Sequence, residues 1–123
     1  MNILVADDND QLRPMMCRML EAEGHSVTQA VNGVEALEMV QLAPVDLLIT
    51  DIIMPEKEGI ETIVELRRKF PKIRILAISG GGWMEPDAYL ETARELGAHA
   101  TLPKPFNREA FLAAVQQAMV APV

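Results

Sequence analysis

Two hydrophobic rhythms take turns along this chain, and their alternation limits the folds open to it more than any single residue does. Short runs rich in β-branched residues and leucine fall at 2–6, 26–30, 46–50 and 73–78, with a weaker one at 98–102. Between them, apolar residues recur three and four apart. The first stripe is Leu12, Met15, Met16, Met19 and Leu20, the second Val34, Leu37, Met39 and Val40, and the third Ile60, Ile63, Val64 and Leu66. Ala88, Leu90, Ala93 and Leu96 make a fourth, and Phe111, Leu112, Val115, Ala118 and Met119 a fifth. A period of two belongs to strands and one near 3.6 to helices, so the chain predicts five strand–helix repeats. Strands joined through helices pair in parallel, and right-handed crossovers lay the helices on both faces of one open sheet. The expectation is a doubly wound α/β domain. Asp10 is placed to cap the first helix and Asn107 the last, Gly24 and Gly97 to end the first and fourth, and Pro86 to open the fourth. Pro14, at the edge of the first turn, predicts a slightly bent start.

At 123 residues, half of them apolar, the chain fills one core and lacks the length for two, so residues 1–123 are expected to form a single domain. A net charge of −7 sets most of the surface against a phosphate backbone, and 4 % aromatic residues are too few for a base-stacking platform. Direct nucleic-acid binding is therefore not expected. The one cysteine, Cys17, reads as a small apolar filler of a helix face and suits a reducing compartment. No basic leader precedes the first strand, and no stretch approaches the roughly 18 apolar residues that cross a bilayer. The protein is expected in the cytoplasm without membrane insertion. Most of the methionines at 15, 16, 19, 39, 54, 84 and 119 are assigned to core packing, and Arg67-Arg68-Lys69 to a solvated helix end that the helix dipole favours.

Three of the apolar runs end in polar groups. Asp7 and Asp8 follow the first, Asp51 ends the third, and Ser79 ends the fourth. Parallel strands bring these ends to one edge of the sheet, where open α/β sheets bind their ligands. Lys104, between Pro103 and Pro105 just past the last strand, reaches the same edge. Carboxylates about 4 Å apart repel by roughly 4 kcal/mol per pair at an effective dielectric near 20, so this edge calls for cations. Mg²⁺, which takes hard oxygen ligands and only one or two carboxylates, is one, and the Lys104 ammonium is the other. A carboxylate nucleophile, a divalent metal, an ammonium and a hydroxyl make a site for a phosphoryl group, with Asp51 attacking in line. Taken singly, each residue has an ordinary explanation as a turn or cap. Their order, each at a strand end, carries the joint reading. The alternative is a phosphatase or hydrolase using Asp51 as nucleophile on free substrates, but only Glu56 and Glu58 follow closely enough to serve as its acid or base. Nucleotide or flavin binding lacks a glycine-rich loop after the first strand.

The same residues, with Met54-Pro55 and Gly59 after Asp51 and Pro105-Phe106 after Lys104, resemble the receiver domain of two-component response regulators over essentially the whole chain. The resemblance implies a CheY-like, flavodoxin-like sheet of five parallel strands in the order 2-1-3-4-5 with five helices. It implies that Asp51 accepts a phosphoryl group from a sensor histidine kinase or a histidine phosphotransfer protein. Asp8, Asp51 and the backbone carbonyl of Ile53 would bind Mg²⁺, with Asp7 acting through water. Ser79 and Lys104 would hold phosphoryl oxygens, and the Lys104–Pro105 peptide would be cis. Phosphorylation would then switch the conformation and modulate a downstream protein or a fused output domain, with a phosphorylation-dependent dimer left open. The only catalysis implied is of the domain's own phosphorylation and dephosphorylation.

The chain departs from the family at Thr101, three residues before Lys104, where receivers carry Tyr or Phe as a rotameric switch. Trp83, after Gly80-Gly81-Gly82, is the candidate substitute, its ordinary alternative being a lid on the core. Ile53 and Gly81 offer no polar side chain to guide water, which predicts slow loss of the phosphoryl group.

Overall fold

A computed structural model describes residues 1–52, 59–79 and 86–122. Strands and helices alternate as β1 (Asn2–Ala6), α1 (Leu12–Ala22), β2 (Ser26–Ala30), α2 (Gly33–Leu42), β3 (Leu47–Asp51), α3 (Gly59–Lys69), β4 (Arg74–Ser79), α4 (Pro86–Glu95), β5 (Ala100–Pro103) and α5 (Arg108–Val120). The strands form one parallel sheet in the order β2-β1-β3-β4-β5, with Ile3 opposite both Val27 and Leu47, and Leu48 opposite Ile75. The central strand β3 is buried at every residue, whereas β2, on the edge, is polar and largely exposed. A parallel strand covered on both faces reads as a continuous apolar run, and an edge strand tolerates polar residues.

Strand alternation divides the core in two. Ile3, Val5, Leu47, Ile49, Leu76 and Ile78 face α1 and α5, where Met16, Leu20, Phe111 and Val115 meet them. Leu4, Ala6, Leu48, Ile75 and Ala77 face the other way, onto Leu37, Val40, Ile63, Leu66 and Ala93 of α2, α3 and α4. Cys17 is buried in the first layer; burial, then the Glu21 charge, pushes its thiol up to about 11, so it packs as an unreactive neutral group.

The structure differs from the sequence expectation in local detail. β3, β4 and β5 start one or two residues later and each runs one residue further, so Asp51 and Ser79 are held inside the ladder instead of in a loop. Asn9, not Asp10, caps α1: its Oδ1 accepts from the Gln11 and Leu12 N–H groups at 2.9 Å each, while Asp10 pairs with Arg13. Pro14 is the third residue of α1 and, having no N–H, cannot follow the Arg13 N–H, which bonds the Asn9 carbonyl at 3.0 Å, with a bond to the Asp10 carbonyl. Met15, Val34 and Val64 are exposed, because a helix lying on a sheet buries only a narrow stripe; Met16 is buried, Met19, Met39 and Met119 pack partly, and Met54 and Met84 lie outside the described residues. Asn107 caps α5 through the Ala110 N–H, and Gly24 and Gly97, at φ of 90° and 118°, follow α1 and α4. Pro86 opens α4. Asn32, unanticipated, caps α2 through the Glu35 N–H. No described helix is long and apolar enough to cross a membrane.

The edge of the sheet opposite the strand carboxyl ends is closed by a histidine. His99 Nδ1 accepts the Ile75 N–H at 3.0 Å, and the His99 N–H donates to the Ile75 carbonyl at 2.8 Å. A ring nitrogen that accepts must be unprotonated. Burial, with the charges of Arg67 and Arg74 behind it, lowers the His99 pKa below its ordinary value. A folded-state pKa below the unfolded one leaves the stabilisation complete above the unfolded value and removes it as pH falls through that value toward the folded one. Urea midpoints of the wild type are therefore expected to fall below about pH 6.5 by more than those of His99→Leu, which lacks the titrating ring. Parallel pH profiles for the two proteins would overturn this.

Candidate functional site

The carboxyl ends of β1, β3, β4 and β5 form the site. Asp7, one residue beyond β1, is fully buried, and its N–H still bonds the Ala30 carbonyl at the end of β2. Asp51 is the last residue of β3 and is 6 % exposed; Ser79 is the last residue of β4 and is fully buried. Asp8 is exposed. By alternation, Asp7 continues the Ile3/Val5 face, Asp51 the Leu47/Ile49 face and Lys104 the Ala100/Leu102 face, all on the α1/α5 side of the sheet. β5 is separated from β3 by β4, at about 4.8 Å per strand, so Lys104 needs both its length and a firm base to reach across. The base is a backbone bond: the Lys104 N–H donates to the Ser79 carbonyl at 2.8 Å. The Lys104–Pro105 peptide that follows is cis.

From that base Lys104 Nζ donates to Asp51 Oδ2 at 2.7 Å and to Asp7 Oδ2 at 3.3 Å. Burial acts to lower the lysine pKa, but the hydrogen bond and charge of Asp51, with Asp7 adding, outweigh it and leave the ammonium above its ordinary value. Asp7, Asp8 and Asp51 each present a carboxylate oxygen within 4.8 Å of the others. Among the described residues, three carboxylates against one ammonium leave the pocket anionic. An all-oxygen set that close fits a hard divalent cation. The Ser79 hydroxyl is buried with no hydrogen-bond partner among the described residues, a state that costs about 1–3 kcal/mol and leaves a donor free for an incoming oxygen.

The sequence named Gly59 and Thr101 but not the contacts they make, and it gave no signal for Arg13. Gly59, the first residue of α3, lies against the end of β3, where its N–H donates to the Ile52 carbonyl at 2.9 Å. A Cβ there would fall 2.6 Å from Ile52 Cα and closer still to the Asp51 carbonyl oxygen. Arg13 reaches back from α1 to the β1 end. Thr101, on β5, accepts a 2.9 Å hydrogen bond from Arg94 in the last turn of α4, so the position without an aromatic ring carries a polar link between helix and sheet. The Ile53 carbonyl, Gly81 and Trp83 lie outside the described residues, and with them the ideas that Ile53 ligates metal and that Trp83 serves as the switch.

The family described as the response regulator receiver domain matches residues 3–116. The chain belongs to that family. Among its relatives, the sensor kinase CckA of Brucella abortus is 35 % identical over 120 residues, which are 94 % of this receiver and 12 % of that protein. The transcriptional regulatory protein CpxR of Escherichia coli K12 is 37 % identical over 114 residues, 93 % of the receiver and 47 % of CpxR. The receiver thus spans about half or less of the length of these relatives. The solved structure of the chemotaxis response regulator CheY4 of Vibrio cholerae superposes with a TM-score of 0.85 at 30 % identity, covering 95 % of the receiver and 97 % of that chain. The sheet order and five helices are those of a CheY-like, flavodoxin-like receiver, and the hydrolase alternative is not favoured.

Proposed function

We propose that residues 1–123 form one receiver unit in which Asp51 accepts a phosphoryl group from a phosphohistidine on a sensor kinase or histidine phosphotransfer protein in the cytoplasm. The observation that carries the reading is the Lys104 ammonium clamped between Asp51 and Asp7 at the mouth of the anionic pocket. An Asp51 carboxylate oxygen attacks phosphorus, the phosphorus–nitrogen bond of the donor breaks, and the electron pair leaves with the imidazole. Lys104 transfers its hydrogen bonding from the carboxylates to a phosphoryl oxygen, and the Ser79 hydroxyl donates to another. Asp7, Asp8 and Asp51 would hold Mg²⁺, which neutralises charge on the phosphoryl oxygens when bound. Because the Lys104 backbone hangs on the Ser79 carbonyl, movement of either side chain is felt at the ends of β4 and β5, beside the Arg94–Thr101 link. A downstream protein or fused output domain that reads this region receives the signal. The only chemistry required is the domain's own modification.

Intact-mass measurement after incubation with acetyl phosphate tests the reading. With Mg²⁺ the protein is expected to gain the mass of one phosphoryl group, and with EDTA in its place to gain none. Mg²⁺ alone is expected to raise folding stability by about 2.7 kcal/mol at roughly one hundred times its Kd. An adduct indifferent to EDTA, or no adduct at all, would refute the proposal.

A further inference from the structure

Asp8 is the one exposed carboxylate of the three, and among the described residues its side chain makes no hydrogen bond or ion pair. The peptide that precedes it is fixed from elsewhere. Arg13 Nη1 donates to the Asp7 carbonyl oxygen at 2.7 Å, its Nη2 to Asp10 Oδ1 at 2.8 Å, and its Nε to Gln29 Oε1 on β2 at 3.0 Å. The Arg13 side chain is only 11 % exposed, so this fork is packed in place instead of waving in solvent. A planar guanidinium that bonds in three directions orients what it holds better than a single flexible donor can.

We propose that Arg13 is a positioning residue for divalent-cation binding: by gripping the Asp7–Asp8 peptide it sets the direction in which the Asp8 carboxylate leaves the backbone. The geometry is specific. The Asp7 carbonyl belongs to the peptide plane whose other end is the Asp8 nitrogen, so fixing that oxygen fixes the plane and the rotation about the Asp8 N–Cα bond acts from a defined origin. The opposite end of Asp7 is fixed too, since its Oδ1 accepts the Asn9 N–H at 2.8 Å and its own N–H bonds Ala30. Asp8 is thus the middle residue of a three-residue stretch whose flanks are both tied, with Arg13 adding a second tie to β2 through Gln29. Partners that orient a ligand without touching the metal commonly change affinity by ten- to one-hundredfold.

The inference rests on the proposed function, and the experiment separates the two. Mg²⁺ binding is measured by calorimetric titration on the wild type, Arg13→Met, which keeps the apolar stem and loses the donors, and Arg13→Lys, which keeps a single donor. A third variant, Arg74→Met, loses the hydrogen bonds from the start of β4 to the Ala118 and Ala121 carbonyls at the end of α5, far from the site, and controls for lost stability alone. The expected result is a Kd for Mg²⁺ raised about tenfold in Arg13→Met, an intermediate value in Arg13→Lys, and no change in Arg74→Met. Phosphorylation from acetyl phosphate is expected to recover toward the wild-type rate as Mg²⁺ is raised to saturation, because the acceptor itself is untouched. A wild type that binds no Mg²⁺ overturns the functional reading and this inference with it. A wild type that binds, alongside a folded Arg13→Met or Arg13→Lys of equal affinity, overturns the inference alone, as does an equal loss in Arg74→Met.

Discussion

Asp51→Asn is expected to abolish the phosphoryl adduct completely while leaving the fold intact. The amide is nearly the same size and shape as the carboxylate, so the end of β3 keeps its packing, and its oxygen still accepts from Lys104. What it lacks is a nucleophilic anion, without which no acyl phosphate forms. The stability of the unliganded protein is expected to stay level or rise, because one of three mutually repelling carboxylates has gone from a pocket that has, among the described residues, a single ammonium to balance them. Mg²⁺ is expected to stabilise the variant less than the wild type, since an anionic ligand has been lost. Intact mass after acetyl phosphate and Mg²⁺ reads the first effect, and thermal midpoints with and without Mg²⁺ read the others. A variant that still gains one phosphoryl mass would place the acceptor elsewhere.

Gly59→Ala is expected to cost about 3 kcal/mol, a large part of the roughly 5–15 kcal/mol that holds a domain of this size together. Ordinarily the exchange of glycine for alanine in a helix gains stability, by up to about 1 kcal/mol. Here the added carbon would meet backbone at the end of β3, at Ile52 Cα and the Asp51 carbonyl, and backbone cannot turn aside as a rotamer can. The chain has to shift, and the residue that shifts carries Asp51. Slower phosphorylation at saturating Mg²⁺ is expected to accompany the loss of stability. Gly24→Ala is the comparison: no atom lies within 4 Å of its added carbon, and only the positive φ is strained, at about 1–2 kcal/mol. A urea midpoint for Gly59→Ala equal to the wild type's would contradict the close approach.

Gly59 also marks the limit of what the linear sequence conveys. It is visible there as a residue eight places after Asp51 in a motif, but the need for glycine comes from α3 starting against a strand end, which no local pattern encodes. Asn9 and Asp10 show the same limit at short range. Both are good caps, yet Asn9 accepts from the Gln11 and Leu12 N–H groups, while Asp10 pairs with Arg13, whose guanidinium is also held by Gln29 on β2. His99 and Arg94 had no signal at all: one became an acceptor for a backbone N–H, the other a donor to Thr101, through contacts made only when β4, β5 and α4 are side by side.

The sequence by itself determined the alternation of strands and helices, the burial of the central strands, and the polar residues that stand at the strand ends, because side-chain period and strand polarity are properties of neighbours along the chain. Only the tertiary structure decided that Lys104 would span Asp51 and Asp7, that the Ser79 hydroxyl would be left without a partner among the described residues, and that Arg13 would hold the peptide before Asp8. The lysine bridge joins residues at the ends of different strands and the Arg13 grip joins α1 to the end of β1, so they depend on strand order and on where each crossover sets its element down, and a one-dimensional pattern carries neither.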